Sequence, residues 1–354
     1  MTRNVAILGA GIGEKHLIAY ARLTDRFSVT DICDLNTDRA QRLASQVGAR
    51  ASSDLDAVLN DPAVDIVDIC LPPPLHVPVT LKALALGKHV ILEKPIAGSL
   101  KEADMLREAE ANSSGKIFPV FQYRYGRAFE GMKRLRQAGF LSRPLVASLE
   151  THWNRGKNYY GIPWRGTWEH ELGGAVLSHA IHAHDLLTTA FGPIAQVSSF
   201  LATMVNPIET EDCAAISLRL KNGATATSSI TLGAAGNTSR LRFIYDDMTI
   251  ESDNSDKYPY TPGEADWNFQ ARDPLRQAEV NDIITSIKHG GEGFEGFCTA
   301  IADALDGRPG NEVTLDDGIA AIELATAIYH SDRIGSQISL PMDRSLSICN
   351  GLAP

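Results

Sequence analysis

Val5-Ala6-Ile7-Leu8-Gly9-Ala10-Gly11-Ile12-Gly13 runs a short apolar strand straight into a glycine-rich turn. Glycine at such positions lets the backbone turn sharply and bring its N–H groups against a pyrophosphate. The helix expected from Lys15 to Arg22 would add the partial positive charge of its N-terminus. The usual spacing is GxGxxG, and here the third glycine comes one residue early. That shifts the phosphate contacts without removing the site. Asp34 ends the next apolar run, Val29-Thr30-Asp31-Ile32-Cys33-Asp34. A carboxylate there accepts ribose hydroxyls and repels a 2′-phosphate, which favours NAD over NADP. The competing role for Asp34 is a helix cap. Arg39 lies near enough in sequence to share the pocket.

Working outward, strands and helices alternate. Strands are expected at Phe27 to Cys33, Ile66 to Leu71, His89 to Leu92 and Ile117 to Phe121. Helices are expected at Thr37 to Gln46, Leu55 to Leu59, Pro78 to Ala85 and Ser99 to Ala111. This rhythm predicts an α/β class N-terminal Rossmann domain, a doubly wound parallel sheet. Past residue 123 the texture changes to longer, more polar strands: Leu145 to His152, Ala195 to Met204, Cys213 to Leu220, Ala224 to Leu232 and Leu241 to Ser252. Turn signals such as Lys221-Asn222-Gly223 mark them as mostly antiparallel. One helix, Ala175 to Phe191, interrupts the set, and residues 253–273 read as a loop or insertion. Further helices are expected at Pro274 to Lys288, Phe294 to Asp306 and Asp316 to Asp332. The domains therefore divide as 1–123, dinucleotide-binding, and 124–354, a C-terminal α/β domain with a large open sheet for substrate binding and oligomerisation.

The 354 residues, 44% of them hydrophobic, suffice for two cores without disulfides or metals. A net charge of −10 disfavours nucleic acid as a partner. The five cysteines include no CxxC pair and read as reduced buried thiols. No secretory signal or membrane-spanning run is recognised, so a cytoplasmic protein without membrane partners is expected.

Two further strand ends carry chemistry. Asp68-Ile69-Cys70-Leu71-Pro72-Pro73-Pro74-Leu75-His76 is followed by Gly87-Lys88-His89-Val90-Ile91-Leu92-Glu93-Lys94-Pro95. With Gly173-Gly174, His182 and Asp185, and the tail from Leu324 to Pro341, these motifs resemble the Gfo/Idh/MocA oxidoreductase family over nearly the whole chain. The resemblance implies that Lys94 stands beside the nicotinamide and the reacting carbon. Chemistry supports such a place: hydride leaves a carbinol carbon only as its hydroxyl loses a proton, so a base or cation must stand at that oxygen. Glu93 and Pro95 would hold the Lys94 backbone, Pro95 through a stiff turn, with a cis bond as one form. The expected cofactor-binding set is Gly9, Gly11, Ile12, Gly13, Asp34, Leu71, Pro72, His76, Glu93, Lys94 and Gln122.

In Leu177-Ser178-His179-Ala180-Ile181-His182-Ala183-His184-Asp185, positions 178 and 182 are expected to share a helix face. The resemblance implies a carboxylate at the first position and a histidine at the second, both assisting proton transfer. Here His182 matches, Ser178 replaces the acid, and His179 is a compensating proton carrier or a packing residue. Asp185 reads as a structural acid. Zinc on His170, His179, His182 and His184 lacks the HExxH pattern and a nearby cysteine, so no metal is expected. Aromatic and polar residues interleave in His152-Trp153-Asn154-Arg155, Tyr159-Tyr160, Trp164-Arg165 and Trp168-Glu169-His170. Such a surface suits a polyhydroxylated small molecule, a sugar or cyclitol. The expected substrate contacts are Tyr123, His152, Trp153, Arg165, His179 and His182.

The catalytic set is thus Lys94, His182 and His179, in an NAD-dependent dehydrogenase or reductase acting on CH–OH groups. Two alternatives stand beside it: a redox-neutral, NAD-retaining hydrolase or lyase, and a non-catalytic dinucleotide-binding sensor. An exposed sheet face would favour a homodimer or homotetramer.

Overall fold

A computed structural model describes residues 2–252, 258–288 and 290–354. Strands β1 (Arg3–Leu8), β2 (Phe27–Cys33), β3 (Arg50–Ser52), β4 (Ile66–Ile69), β5 (His89–Leu92) and β6 (Ile117–Pro119) form a parallel sheet ordered β3-β2-β1-β4-β5-β6. Val5, Ile7, Val67, Ile69 and Ile91 are fully buried, because helices cover both faces of a parallel sheet. The strand order reverses between β1 and β4. The crevice at the carboxyl ends of those strands is where this topology places a ligand.

The chain divides into two compact units, 1–122 with Phe294–Ala320, and Tyr123–Gly293 with Ala321–Pro354. The segment Phe294–Ala320 groups with the first unit although it lies far along the chain. Specific contacts hold it there. The Phe294 ring lies 4.3 Å from that of His16, Arg26 pairs with Asp303 and Asp306, and Arg3 pairs with Asp306.

The second unit contains an eight-stranded sheet. Its strands are β7 (Pro144–Asn154), β8 (Ile194–Ala202), β9 (Cys213–Leu220), β10 (Thr225–Thr231), β11 (Gly233–Tyr245), β12 (Met248–Ser252), β13 (Trp267–Ala271) and β14 (Ile338–Ser339). Their order is β13-β12-β11-β7-β10-β9-β8-β14, antiparallel at every step except β7–β10. Gly223 closes the β9–β10 turn with a φ of 89°. Three expectations are corrected here. The single strand from Leu241 to Ser252 is a hairpin, turning at Asp246-Asp247 between β11 and β12. The loop expected at 253–273 contains β13, paired along β12, while 253–257 lie outside the described residues. The helix from Ala175 to Phe191 breaks after Ser178 and resumes at Ile181.

Candidate active site

The glycine turn is built from the strand ends around it. Gly9 has a φ of 100°, and a Cβ there would lie 2.4 Å from the Cys70 carbonyl oxygen, so glycine is required. Gly13 packs its helix on β1, with Ile7 2.7 Å from where a Cβ would stand. Gly11 is open: only the Arg39 guanidinium comes within 4.0 Å of such a Cβ. Asp34 faces this turn. One carboxylate oxygen accepts from the Ala10 N–H at 2.7 Å; the other accepts from the Asn36 N–H at 2.8 Å and from Arg39 at 3.2 Å. Asn36, not Asp34, caps the following helix. The buried Oε1 of Gln122 has no hydrogen-bond partner among the described residues. The open face of Gly11 and this orphaned acceptor fit a dinucleotide, since a buried polar atom without a partner calls for one.

The lysine turn is tied down from beneath. His76 is buried, with Nδ1 2.7 Å from the Pro95 carbonyl and Nε2 2.7 Å from the Leu71 carbonyl, joining the turns after β4 and β5. Lys94–Pro95 is a cis peptide. Glu93 Oε2 accepts from the Lys94 N–H at 3.0 Å, and its Oε1 lies 3.2 Å from His16 Nε2. His16 Nδ1 is 2.9 Å from Asp68, which also accepts from the Tyr20 hydroxyl at 2.8 Å. Burial alone would lower the His16 pKa, but the Asp68 carboxylate, aided by Cys70, outweighs it and holds the imidazolium well above the usual histidine range. The sequence reading missed this network. Its signal was present: His16 follows Gly13 by three residues, on the same helix face.

In the second unit, Tyr123 and His182 stack with centroids 4.2 Å apart. Because the helix breaks between them, Ser178 and His182 do not share the expected continuous face. The Ser178 hydroxyl instead donates to the Gly174 carbonyl at 2.7 Å and lies 2.6 Å from His179 Nδ1. His179 meets Trp153 edge-on at 5.2 Å and lies 5.6 Å from Tyr159. The double glycine before this segment admits Glu211, for a Cβ at Gly174 would lie 2.1 Å from its carbonyl oxygen. Burial pushes the Glu211 pKa up to about 7, and its carboxyl accepts from the Val176 N–H and the Tyr329 hydroxyl. Asp185 is held by Arg124 through paired bonds of 2.8 and 2.5 Å, as a structural acid should be.

Arg165 lies over the Tyr159 ring at 3.9 Å and the Trp164 ring at 4.5 Å. His152 does not join this cluster. It alternates with Trp153 along β7, so it points to the opposite sheet face and meets Ser229 at 2.9 Å. The four histidines weighed for zinc also diverge. His170 is exposed beside Thr167, His184 meets Ser228 in the core, His179 meets Ser178, and His182 stacks on Tyr123. Burial lowers the His184 pKa to about 4, which keeps it neutral.

Residues 3–121 match the model of an oxidoreductase family with an NAD-binding Rossmann fold, and residues 129–251 match the GFO/IDH/MocA C-terminal domain. A levoglucosan dehydrogenase from Pseudarthrobacter phenanthrenivorans is 24% identical over 313 residues, covering 79% of this chain and 77% of that one. Inositol 2-dehydrogenase 3 of Saccharopolyspora erythraea is 32% identical over 149 residues, 42% of this chain and 44% of its own. The WlbA dehydrogenase from Bordetella pertussis, solved with NADH and UDP-GlcNAcA, superposes with a TM-score of 0.84 at 26% identity, covering 97% of this chain and all of that one. No helix among the described residues is long and apolar enough to cross a membrane. This chain therefore belongs to the GFO/IDH/MocA family of NAD-binding oxidoreductases.

Proposed function

We propose that this enzyme transfers hydride between NAD and a carbinol or carbonyl carbon of a sugar, sugar derivative or cyclitol. In this reading Lys94 and His182 assist proton transfer at the substrate oxygen. The observation that carries it is the Lys94 turn, whose backbone is fixed by Glu93 and His76 at the ligand end of a Rossmann sheet. Bound NAD supplies the hydride acceptor. The Gly9–Gly13 turn, Asp34 and Gln122 would hold it, with Leu71 and Pro72 beside them. Lys94 would stabilise the developing alkoxide or take its proton. His182, braced by Tyr123, would act on the same oxygen, and His179, positioned by Ser178 through its Nδ1, would remain available as a second proton carrier. Relatives named for levoglucosan and inositol support a polyol as substrate. The test is a screen of sugars and cyclitols for NADH formation. A screen that yields tight NAD binding but no net NADH would favour the redox-neutral alternative.

Cofactor choice follows from Asp34. Replacing it with serine frees Arg39, so Asp34→Ser should raise the NADP-to-NAD ratio of kcat/KM by about 100-fold. An unchanged ratio would mean that Asp34 serves the glycine turn and not the ribose. We also expect a cytoplasmic homo-oligomer. All five cysteines are free thiols, and the outer face of the large sheet exposes Phe200 and Val146.

A further inference from the structure

Arg155 follows β7 and sits among three aromatic rings. Its guanidinium carbon is 5.0 Å from the Trp153 centroid, 5.2 Å from that of Tyr159 and 4.8 Å from that of Tyr260. Among the described residues the acceptors it reaches are neutral: the Asn154 carbonyl at 2.9 Å, Asn237 Oδ1 at 3.3 Å and the Tyr260 hydroxyl at 3.4 Å. Among the described residues no carboxylate pairs with it, and its Nε is buried without an acceptor. The Tyr159 ring carries a second guanidinium, that of Arg165, whose Nε is likewise buried and unmatched. Glu171 stands 3.7 Å from Arg165 and is itself engaged by the Gly166 N–H at 2.6 Å. Among the described residues two guanidinium charges therefore face one carboxylate, in a protein whose net charge is −10. A partly buried guanidinium without a carboxylate partner is free to take an oxyanion in that place.

We infer that the substrate carries an oxyanion, a carboxylate or phosphate, and that Arg155 is the residue that binds it, with Arg165 reinforcing the local positive charge. This rests on the reading of the Trp153–His179 region as the substrate side of a polyol dehydrogenase. The geometry suits one compact ligand. Trp153 and Tyr159 each touch both Arg155 and His179, so one ring's width separates the anion-binding group from the candidate proton carrier. The same rings offer faces for the C–H side of a sugar. A guanidinium stacked on aromatic rings is weakly hydrated and already oriented, and its fork matches the two oxygens of an acid group.

The experiment measures binding to the NADH-loaded protein by calorimetry, with D-glucose, D-glucuronate and D-glucose 6-phosphate as probes. At least one acid should bind about tenfold or more tightly than the neutral sugar, and the preference should shrink as salt is raised. Whether the glucuronate or the 6-phosphate is preferred identifies the oxyanion. Arg155→Gln should erase the preference, and Arg155→Lys should keep part of it. Should Arg155→Gln fail to fold, the salt dependence of the wild type and the lysine variant still decide. Equal binding of acid and neutral sugars, no binding of either acid, or a preference that survives in Arg155→Gln would overturn the inference. Reduction of NAD by neutral polyols alone would overturn it and leave the dehydrogenase reading standing. Acid binding through Arg155 with no NAD reduction by any polyol would do the reverse.

Discussion

Lys94→Met should lower kcat by about a thousandfold while leaving the affinity for NADH within about threefold of the wild type. The expectation follows from what the substitution removes. Met keeps the length and apolar stem of Lys94, so the cis turn to Pro95 and the Glu93 bond to the residue 94 backbone stay in place. The glycine turn and Asp34, on other strand ends, are untouched. Only the ammonium is lost, and with it the group that meets the charge developing on the substrate oxygen as hydride departs. General acid–base groups of this kind contribute about 10²–10⁴ in rate. The measurement is steady-state turnover on whichever polyol the screen identifies, with NADH affinity read by fluorescence. Loss of NADH binding in step with kcat would mean that Lys94 holds cofactor and has no part in proton transfer. Retained turnover would hand the chemistry to His182 and His179.

How much of this was legible beforehand depends on the range of the interactions. The parallel sheet was legible because a strand buried on both faces tends to be a continuous apolar run, as Val5 to Leu8 and Val90 to Leu92 are. The glycine turn was legible because it is a local device, whereas the place of Lys94 was read from the family resemblance and not from its local sequence. The hairpin at Asp246-Asp247 was not legible, since two aspartates lack the glycine that marks such turns. Nor was the helix break at His179-Ala180. The sequence there is periodic enough for one helix, and the break is set by Glu211 and Tyr329, distant residues that anchor the Gly174–Val176 end. His152 differs for a simpler reason: composition puts it beside Trp153, but neighbouring residues on a strand face opposite ways. From the sequence Arg155 reads only as one of a polar-aromatic mixture, because Tyr260, which completes its surroundings, lies far along the chain. Sequence spacing can suggest which side chains share an element, but it does not tell which distant element will close around them.

The buried charges beneath the lysine turn give the second large effect. His16, Asp68 and Glu93 are nearly inaccessible, and the imidazolium lies between the two carboxylates. Tyr20, Cys70 and, from the segment that begins at Phe294, Cys298 complete its surroundings, and burial raises the pKa of all three so that they stay neutral. His16→Gln leaves two carboxylates in the core with no cation between them. Breaking a buried pair in this way costs about 3–5 kcal/mol of stability. The pH dependence distinguishes charge from packing. Because the folded protein raises the His16 pKa well above that of the unfolded chain, its contribution is complete below about pH 6.5 and is lost only as the pH rises through the folded value. Urea unfolding at pH 6 should therefore show the full gap between wild type and His16→Gln, and the gap should narrow in alkaline buffer. A gap that stays constant with pH would assign the loss to shape alone. Because Glu93 bonds to both His16 and the Lys94 N–H, the same substitution also loosens the turn that carries the lysine. Its kcat should fall while NADH affinity holds, linking a buried charge of the first unit to the group proposed to do the chemistry.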